Sequence, residues 1–303
     1  MLAAKKEFAL TILKWQLILG CVWVLISFMW GCAVAPKTLF VKDLSQSFEA
    51  DTIISAETGK PISFEELLGT LGACRVIYVG ENHTDPIHHE IQLKIIKAIF
   101  ERHPSMAVGM EMFDHSYQNI LDSWSAGELD EKSFLRQVHW YANWRFNYSL
   151  YRDILDFIKM NHIRLVGLNM PFHIPSKIRV GGIENLRAEE KRYLPKEINT
   201  SNAEHREYVE SVFNRHHFQE GMVEFDDFYA AQCAWEDTMA ETIAANLNGD
   251  VMVVIAGNGH IQYKYGIPDR AFRRTDSPFL TIYPATVGAE IDLGIADFIW
   301  VTP

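Results

Sequence analysis

The sequence predicts an α/β fold: a mainly parallel β-sheet flanked by helices, with a smaller all-helical domain inserted. Three observations carry that expectation. Short apolar, β-branched runs recur at residues 75–79, 106–112, 162–168, 251–256, 279–283 and 298–301, each with the length and composition of a buried strand. The first two are joined by one helical stretch, the connection that parallel pairing requires. Two long segments without strand signal, residues 113–161 and 183–248, interrupt the series and are assigned to the helical lobe.

Taken in order, residues 1–32 differ in kind from the rest. Lys5, Lys6 and Lys14 lead into an apolar run from Trp15 to Trp30, followed by Gly31-Cys32-Ala33. A basic region, an apolar core and a small-Cys cleavage site follow the order of an export signal. The run, about 16 residues, is short against the roughly 20 of a bilayer span. It resembles a bacterial lipoprotein signal, in which Cys32 becomes the lipidated N-terminus. Met29 and Trp30 depart from the usual Leu-Ala or Leu-Ser before Gly-Cys, and the alternative is an uncleaved anchor. Either way the body is expected outside the cytoplasm, membrane-anchored and facing the periplasm or the cell exterior. Residues 33–60, rich in Ser and Asp, read as a tether with one short strand at residues 52–55.

The α/β core is expected over residues 61–112, 162–182 and 249–303. Asp85-Pro86 supplies an N-cap and a proline at the first helical position. Ile87, Ile91, Ile95, Ala98 and Ile99 then form an apolar stripe at helical spacing, in a helix expected to end near His103. Asn199-Thr-Ser-Asn202 reads as a break and cap within the second helical block.

Composition excludes some classes of function. At 303 residues, 48% hydrophobic and 22% charged, the chain is globular rather than disordered. A formal charge of −11 without a Lys/Arg block argues against nucleic acid as a partner, because phosphate-backbone binders concentrate positive charge. With Cys21 removed and Cys32 modified, Cys74 and Cys233 remain, too few and too far apart for a disulfide framework or a CxxC metal signature.

In an open parallel sheet, ligands bind beyond the carboxyl ends of the strands. Those ends read Gly80-Glu81-Asn82-His83, Gly109-Met110-Glu111-Met112, Gly167-Leu168-Asn169-Met170-Pro171 and Gly257-Asn258-Gly259-His260. Two Gly-x-x-His turns and a glutamate can place His83, Glu111 and His260 across one crevice. Such a set can bind zinc or another divalent metal, or act as base and acid in hydrolysis; the alternative is that each histidine caps its own loop. His88 lies at the edge of the apolar stripe and is expected to face the crevice, while His89 points toward solvent or a partner. The helix start at residues 84–88 suits a carboxylate. Tyr148 and Tyr151 share a helical face with Leu155 and Ile158, either as a core stripe or as flat rings beside a planar ligand. Beyond His260 come Tyr263, Lys264 and Tyr265; tyrosine is one of the axial ligands of haem iron, and a lysine can meet propionates. The alternative is that these tyrosines are half buried in packing.

Several motifs in one order carry a resemblance: Tyr78-Val-Gly-Glu-Asn-His83 with His88-His89 and Gln92, Gly109-Met-Glu-Met112, Leu150-Tyr-Arg152, Gly167-Leu-Asn-Met-Pro171, Gln232-Cys-Ala-Trp-Glu-Asp-Thr-Met-Ala240, and Gly257-Asn-Gly-His260 with Gly266-Ile-Pro268. Over about residues 70 to 285 the chain resembles the ChaN family of haem-binding, iron-regulated lipoproteins in the TIKI/TraB superfamily. The resemblance implies haem as cofactor, iron held by a tyrosine at the strand ends, and propionates met by histidine and lysine across a homodimer interface. It also implies a role in haem and iron uptake, with an outer-membrane haem receptor as partner. By position beside His260, and not by a residue correspondence with the family, the iron ligand is expected at Tyr263 or Tyr265, with Tyr151 and Tyr148 behind them, and Lys264 and His88 are the propionate candidates. The rival expectation is a metal-dependent peptidase or esterase of the same superfamily, similar to the erythromycin esterases, that uses His83, Glu111 and His260.

Overall fold

The computed structural model describes residues 37–215, 223–248 and 251–303. The leader at residues 1–32 and the lipidation site Cys32 lie outside the described residues. Eleven strands are present among the described residues: β1 Leu39–Val41, β2 Gln46–Phe48, β3 Ile53–Ser55, β4 Lys60–Ile62, β5 Val76–Glu81, β6 Ala107–Asp114, β7 Arg164–Asn169, β8 Met252–Gly257, β9 Phe279–Thr286, β10 Glu290–Ile291 and β11 Phe298–Thr302. Eight of them form one sheet in the order β4-β3-β11-β9-β5-β8-β6-β7, and β10-β1-β2 form a small second sheet. From β11 to β7 every pairing is parallel, and the β3–β4 hairpin closes one edge antiparallel.

The parallel strands are buried on both faces, as helices on either side require. Alternate residues part to opposite layers. Ile77 and Val79 of β5 and Val253 and Ile255 of β8 join a core with helices Pro86–Arg102 and Arg152–Met160. Tyr78, Val254 and Ala256 join the opposite core, with Met239, Ala240 and Ile243 of helix Phe225–Asn246 and Ile267 and Ala271 of helix Ile267–Thr275. The aromatic residues Trp124, Phe134 and Trp140 of the first helical segment belong to the former core.

The cap at Asp85 forms as its sequence dictates: the carboxylate accepts from the Ile87 N–H at 3.0 Å, with Pro86 at the first helical position. The expected break at Asn199–Asn202 is likewise a cap, with Asn202 Oδ1 accepting from the His205 N–H at 3.0 Å ahead of helix Ala203–Arg215. The stretch expected to be a tether is corrected by the structure. Residues 39–62 carry four strands, and β3 pairs with β11 inside the main sheet. Strands of three residues are too short to show an alternating pattern, yet Leu39, Val41, Phe48 and Ile54 are buried against Ile299 and Val301.

Chain order and sheet order part company where it matters for a site. β8 follows β7 by more than eighty residues in the sequence but lies between β5 and β6. The turn after β8 is thereby set between the turn after β5 and the end of β6, a topological switch point. The β6–β7 register also shifts between Met110 and Asp114, and irregularities of this kind re-aim side chains near functional sites; Glu111 lies within that interval. Among the described residues, no helix is long and apolar enough to cross a membrane.

Candidate functional site

An open cleft of about 720 Å³ lies over the carboxyl ends of β5 and β8, floored by Glu81, Asn82, His83, Gly257 and His260 and walled by Phe146. Its volume falls within the range of small-molecule and cofactor sites. The expected trio does meet here. Glu111 accepts a hydrogen bond from the Gly257 N–H at 2.7 Å, and His260 Nε2 lies 3.5 Å from its other oxygen. His83 closes on the same point from the β5 side: a Cβ built on Gly257 would come within 2.9 Å of His83 Cε1 and 3.5 Å of Glu111 Oε2. Gly257 is therefore required for close approach.

His83 is held by a carboxylate two residues back, at the end of β5. Glu81, fully buried, has Oε1 2.6 Å from His83 Nδ1 and accepts the Tyr151 hydroxyl at 2.6 Å. Its second oxygen accepts from Gln92 Nε2 at 2.8 Å. The His83 ring is bracketed by Trp144 and Phe146, each with its ring centroid 4.8 Å away, and its side chain keeps 26% exposure. Burial pushes the His83 pKa down, but the Glu81 hydrogen bond and the charges of Glu111 and Glu81 outweigh this and leave it raised.

His260 is enclosed. Its Nδ1 lies 3.2 Å from Glu236 Oε1, and Gln232 Nε2 donates to the same oxygen at 2.7 Å. The Trp235 ring stands edge-on at 5.0 Å. Burial opposes charge on the imidazole, yet Glu111 and Glu236 on either side raise its pKa to about 10. Reciprocally, burial alone would raise the Glu111 pKa; His260 above all, then His83 and the Gly257 N–H, bring it down to about 2. Glu236 is lowered in the same way against its own burial, by His205, His260 and Arg270.

The remaining sequence candidates fall elsewhere. His88 is fully buried: its Nδ1 accepts from the Asn82 N–H at 2.8 Å and its Nε2 faces Thr302 Oγ1 at 3.3 Å. It secures the turn before His83 and presents nothing to the cleft. His89 is also buried rather than turned to solvent, bonding Gln92 Oε1 and the His83 carbonyl, because the helical segment after β6 covers that side of the helix. Tyr148 and Tyr151 are sealed in the core, the first with no hydrogen-bond partner for its hydroxyl among the described residues and the second tied to Glu81. Tyr263 and Tyr265 are half-buried, stacked on each other at 5.6 Å, and outside the cleft lining. Tyr263 donates to Asp292 Oδ2 at 3.0 Å and Lys264 to Asp297 Oδ1 at 2.6 Å. Both adopt positive φ, 54° and 64°, a conformation uncommon for residues other than glycine and associated with functional segments.

The metal expectation does not survive this geometry. Among the described residues no three His, Cys, Asp or Glu side chains are arranged to hold an ion. The donors are spent on one another: His83 Nδ1 on Glu81, Glu111 on Gly257 and His260, His260 Nδ1 on Glu236. For haem the fit is of a different kind. The cleft is open, one wall is aromatic, and a Cβ on Gly259 would meet nothing within 4 Å, so a flat molecule has room to approach; no tyrosine is among the residues lining it. The signal for Glu236 was present in the sequence only as Gln232 and Glu236 four apart on one helical face. That for Glu81 was hidden at the end of an apolar strand.

Comparison with known proteins agrees with this architecture. ChaN of Campylobacter jejuni, whose structure shows cofacial haem binding, superposes with a TM-score of 0.67 at 20% identity, covering 82% of this chain and 95% of that one. At that identity the likeness is one of fold. An erythromycin esterase in its open conformation aligns at 13% identity and a TM-score of 0.46, over 78% of each chain, too low to bear on function. No curated protein matches. A family model described as haem-binding uptake, Tiki superfamily, ChaN matches residues 67–271, two thirds of the sequence, and the chain belongs to that family.

Proposed function

We propose that this chain is an exported haem carrier, anchored to a membrane through a lipidated Cys32, that takes haem at the strand-end cleft for iron uptake. The observation that carries the reading is the open, aromatic-walled cleft of about 720 Å³ in a chain of this family. Haem supplies the iron and a flat apolar macrocycle; the chain supplies a surface for it and groups for its carboxylates. A tyrosine ligand must come from outside the cleft, because Tyr148 and Tyr151 are sealed and the lining holds no tyrosine. Tyr263 or Tyr265 of a second copy meets that need and makes the site one shared by a homodimer. Lys264, half-exposed on Asp297, is the cation for a propionate; His88, enclosed by Asn82 and Thr302, is not. An outer-membrane haem receptor is the partner that would deliver the haem.

Hemin titration of the full chain in detergent tests this, read at the Soret band with light scattering for mass. The expected result is a Soret shift with dimer formation, abolished by Tyr263→Phe or Tyr265→Phe and kept by Tyr148→Phe. No Soret change in the unsubstituted protein overturns it.

A second reading rests on the Glu81–His83 pair, a carboxylate orienting an imidazole at 2.6 Å beside an open cleft. That is the arrangement of a general base and its orienting group, and it supports hydrolysis with His83 taking a proton from water and Glu111 and His260 flanking the reacting carbonyl. Ester and peptide hydrolysis that is lost in His83→Ala, with the hemin titration unchanged, would favour it.

A further inference from the structure

From the buried layer behind the cleft to its floor, six side chains alternate in charge type: Arg270, Glu236, His260, Glu111, His83 and Glu81. Neighbours along the row stand close. Arg270 Nε is 3.4 Å from Glu236 Oε2, Glu236 Oε1 is 3.2 Å from His260 Nδ1, and His260 Nε2 is 3.5 Å from Glu111 Oε1. His83 is the member most open to solvent, Glu81 and His260 reach the cleft floor, and Glu236 is fully buried and does not line the cleft. We infer that Glu236 is the positioning residue of this site: it grips His260 at Nδ1, which directs Nε2 to Glu111 and sets the ring as a fixed wall of the cleft.

Three features support this assignment. Glu236 is itself held in place: Gln232 Nε2 donates to its Oε1 at 2.7 Å, and His205 Nε2 at 3.2 Å and Arg270 Nε at 3.4 Å stand at ion-pair distance from its Oε2, which favours one seat for the carboxylate. The chain folds back over the pair: a Cβ on Gly266 would lie 2.8 Å from Glu236 Oε1 and 2.3 Å from the His260 carbonyl, which leaves the turn no freedom to re-seat the imidazole. The Glu236 grip is on Nδ1 while Nε2 faces Glu111, the relation by which an outer carboxylate fixes the orientation of a histidine ring. Asp237, the next residue, holds Arg270 and Arg274 instead and bonds nothing in the cleft, which makes it the control.

The test uses the full chain labelled with ¹⁵N-histidine, with His260→Gln to assign the signal. In the unsubstituted protein His260 should show a protonated Nδ1 in one sharp state. Glu236→Gln should move or split the His260 nitrogen signals, Glu236→Asp should restore them, and Asp237→Asn should leave them in place while lowering stability. Unchanged His260 signals in Glu236→Gln, or an equal change in Asp237→Asn, overturn the inference; should Glu236→Gln not fold, an unprotonated Nδ1 in the parent protein overturns it. A hemin titration alongside, which alone rests on the haem reading, should weaken about tenfold in Glu236→Gln and recover in Glu236→Asp. Loss of hemin binding by the parent protein would refute that reading and leave the nitrogen signals to decide this one.

Discussion

The two strand-end turns share a pattern, Gly80-x-x-His83 and Gly257-x-x-His260, and end in opposite circumstances. His83 stays partly open, oriented by Glu81 at the end of the strand it follows and lying between two aromatic rings. His260 is enclosed, held by Glu111 from β6 and Glu236 from a helix on the other face. A four-residue motif can bring an imidazole to the edge of a sheet, but what the imidazole can do there depends on partners from elsewhere. The open one is available to a ligand; the enclosed one is part of the scaffold that shapes the cleft.

The comparison breaks most severely if the enclosed side loses its charge balance. Arg270→Met leaves Glu236 and Asp237 buried without their common partner and is expected to cost about 3–5 kcal/mol in chemical denaturation, with His83 little affected. The pH dependence should show the same asymmetry. Glu111 is lowered from 4.5 to about 2, so its contribution is present above its unfolded value and is lost as pH falls through about 2. His260 is raised from 6.5 to about 10, so its contribution is complete below its unfolded value and is lost as pH rises through about 10. Thermal melting across pH should therefore plateau between about 4.5 and 6.5 and decline on both sides, and Glu111→Gln should flatten the acid limb.

Gly257→Ala sharpens the comparison within a single turn. Its new methyl group meets His83 at 2.9 Å, so a loss of about 1–3 kcal/mol is expected, together with a shifted His83 signal in imidazole NMR. Gly259→Ala, two residues on and facing open space, should stay within about 0.5 kcal/mol. Lys264→Ala is expected to be comparably mild. Its ion pair with Asp297 is half-exposed, and removing it should change stability by less than about 1 kcal/mol, so any large loss in the hemin titration would mark a ligand contact.

Much of the sheet was legible because its signals are local. The six apolar runs, the Asp85-Pro86 cap and the Asn202 cap depend on neighbours within one or two turns of chain, and each became the element expected. Of the short strands before residue 63 only the one expected at residues 52–55 was legible, as Ile53–Ser55; the other three were not, since three residues cannot display a period. The assignment of His88 and His89 failed for a related reason. Helical geometry tells which way each ring leaves its own helix, but not that Thr302 lies over one and the segment carrying Tyr151 over the other.

The sequence by itself determined a parallel α/β sheet and the glycine turns at its strand ends, and it offered His83, Glu111 and His260 either as one crevice set or as caps of their own loops. These follow from periodicity and from the close approach of neighbouring groups that only a residue without a side chain allows at Gly80 and Gly257. Tertiary structure alone decided that β8 enters between β5 and β6, that Glu81 holds His83 and Glu236 holds His260, and that the tyrosines divide into sealed and half-exposed pairs. Burial and ion pairing are set by which distant segments meet, and a chain's local pattern carries no measure of that.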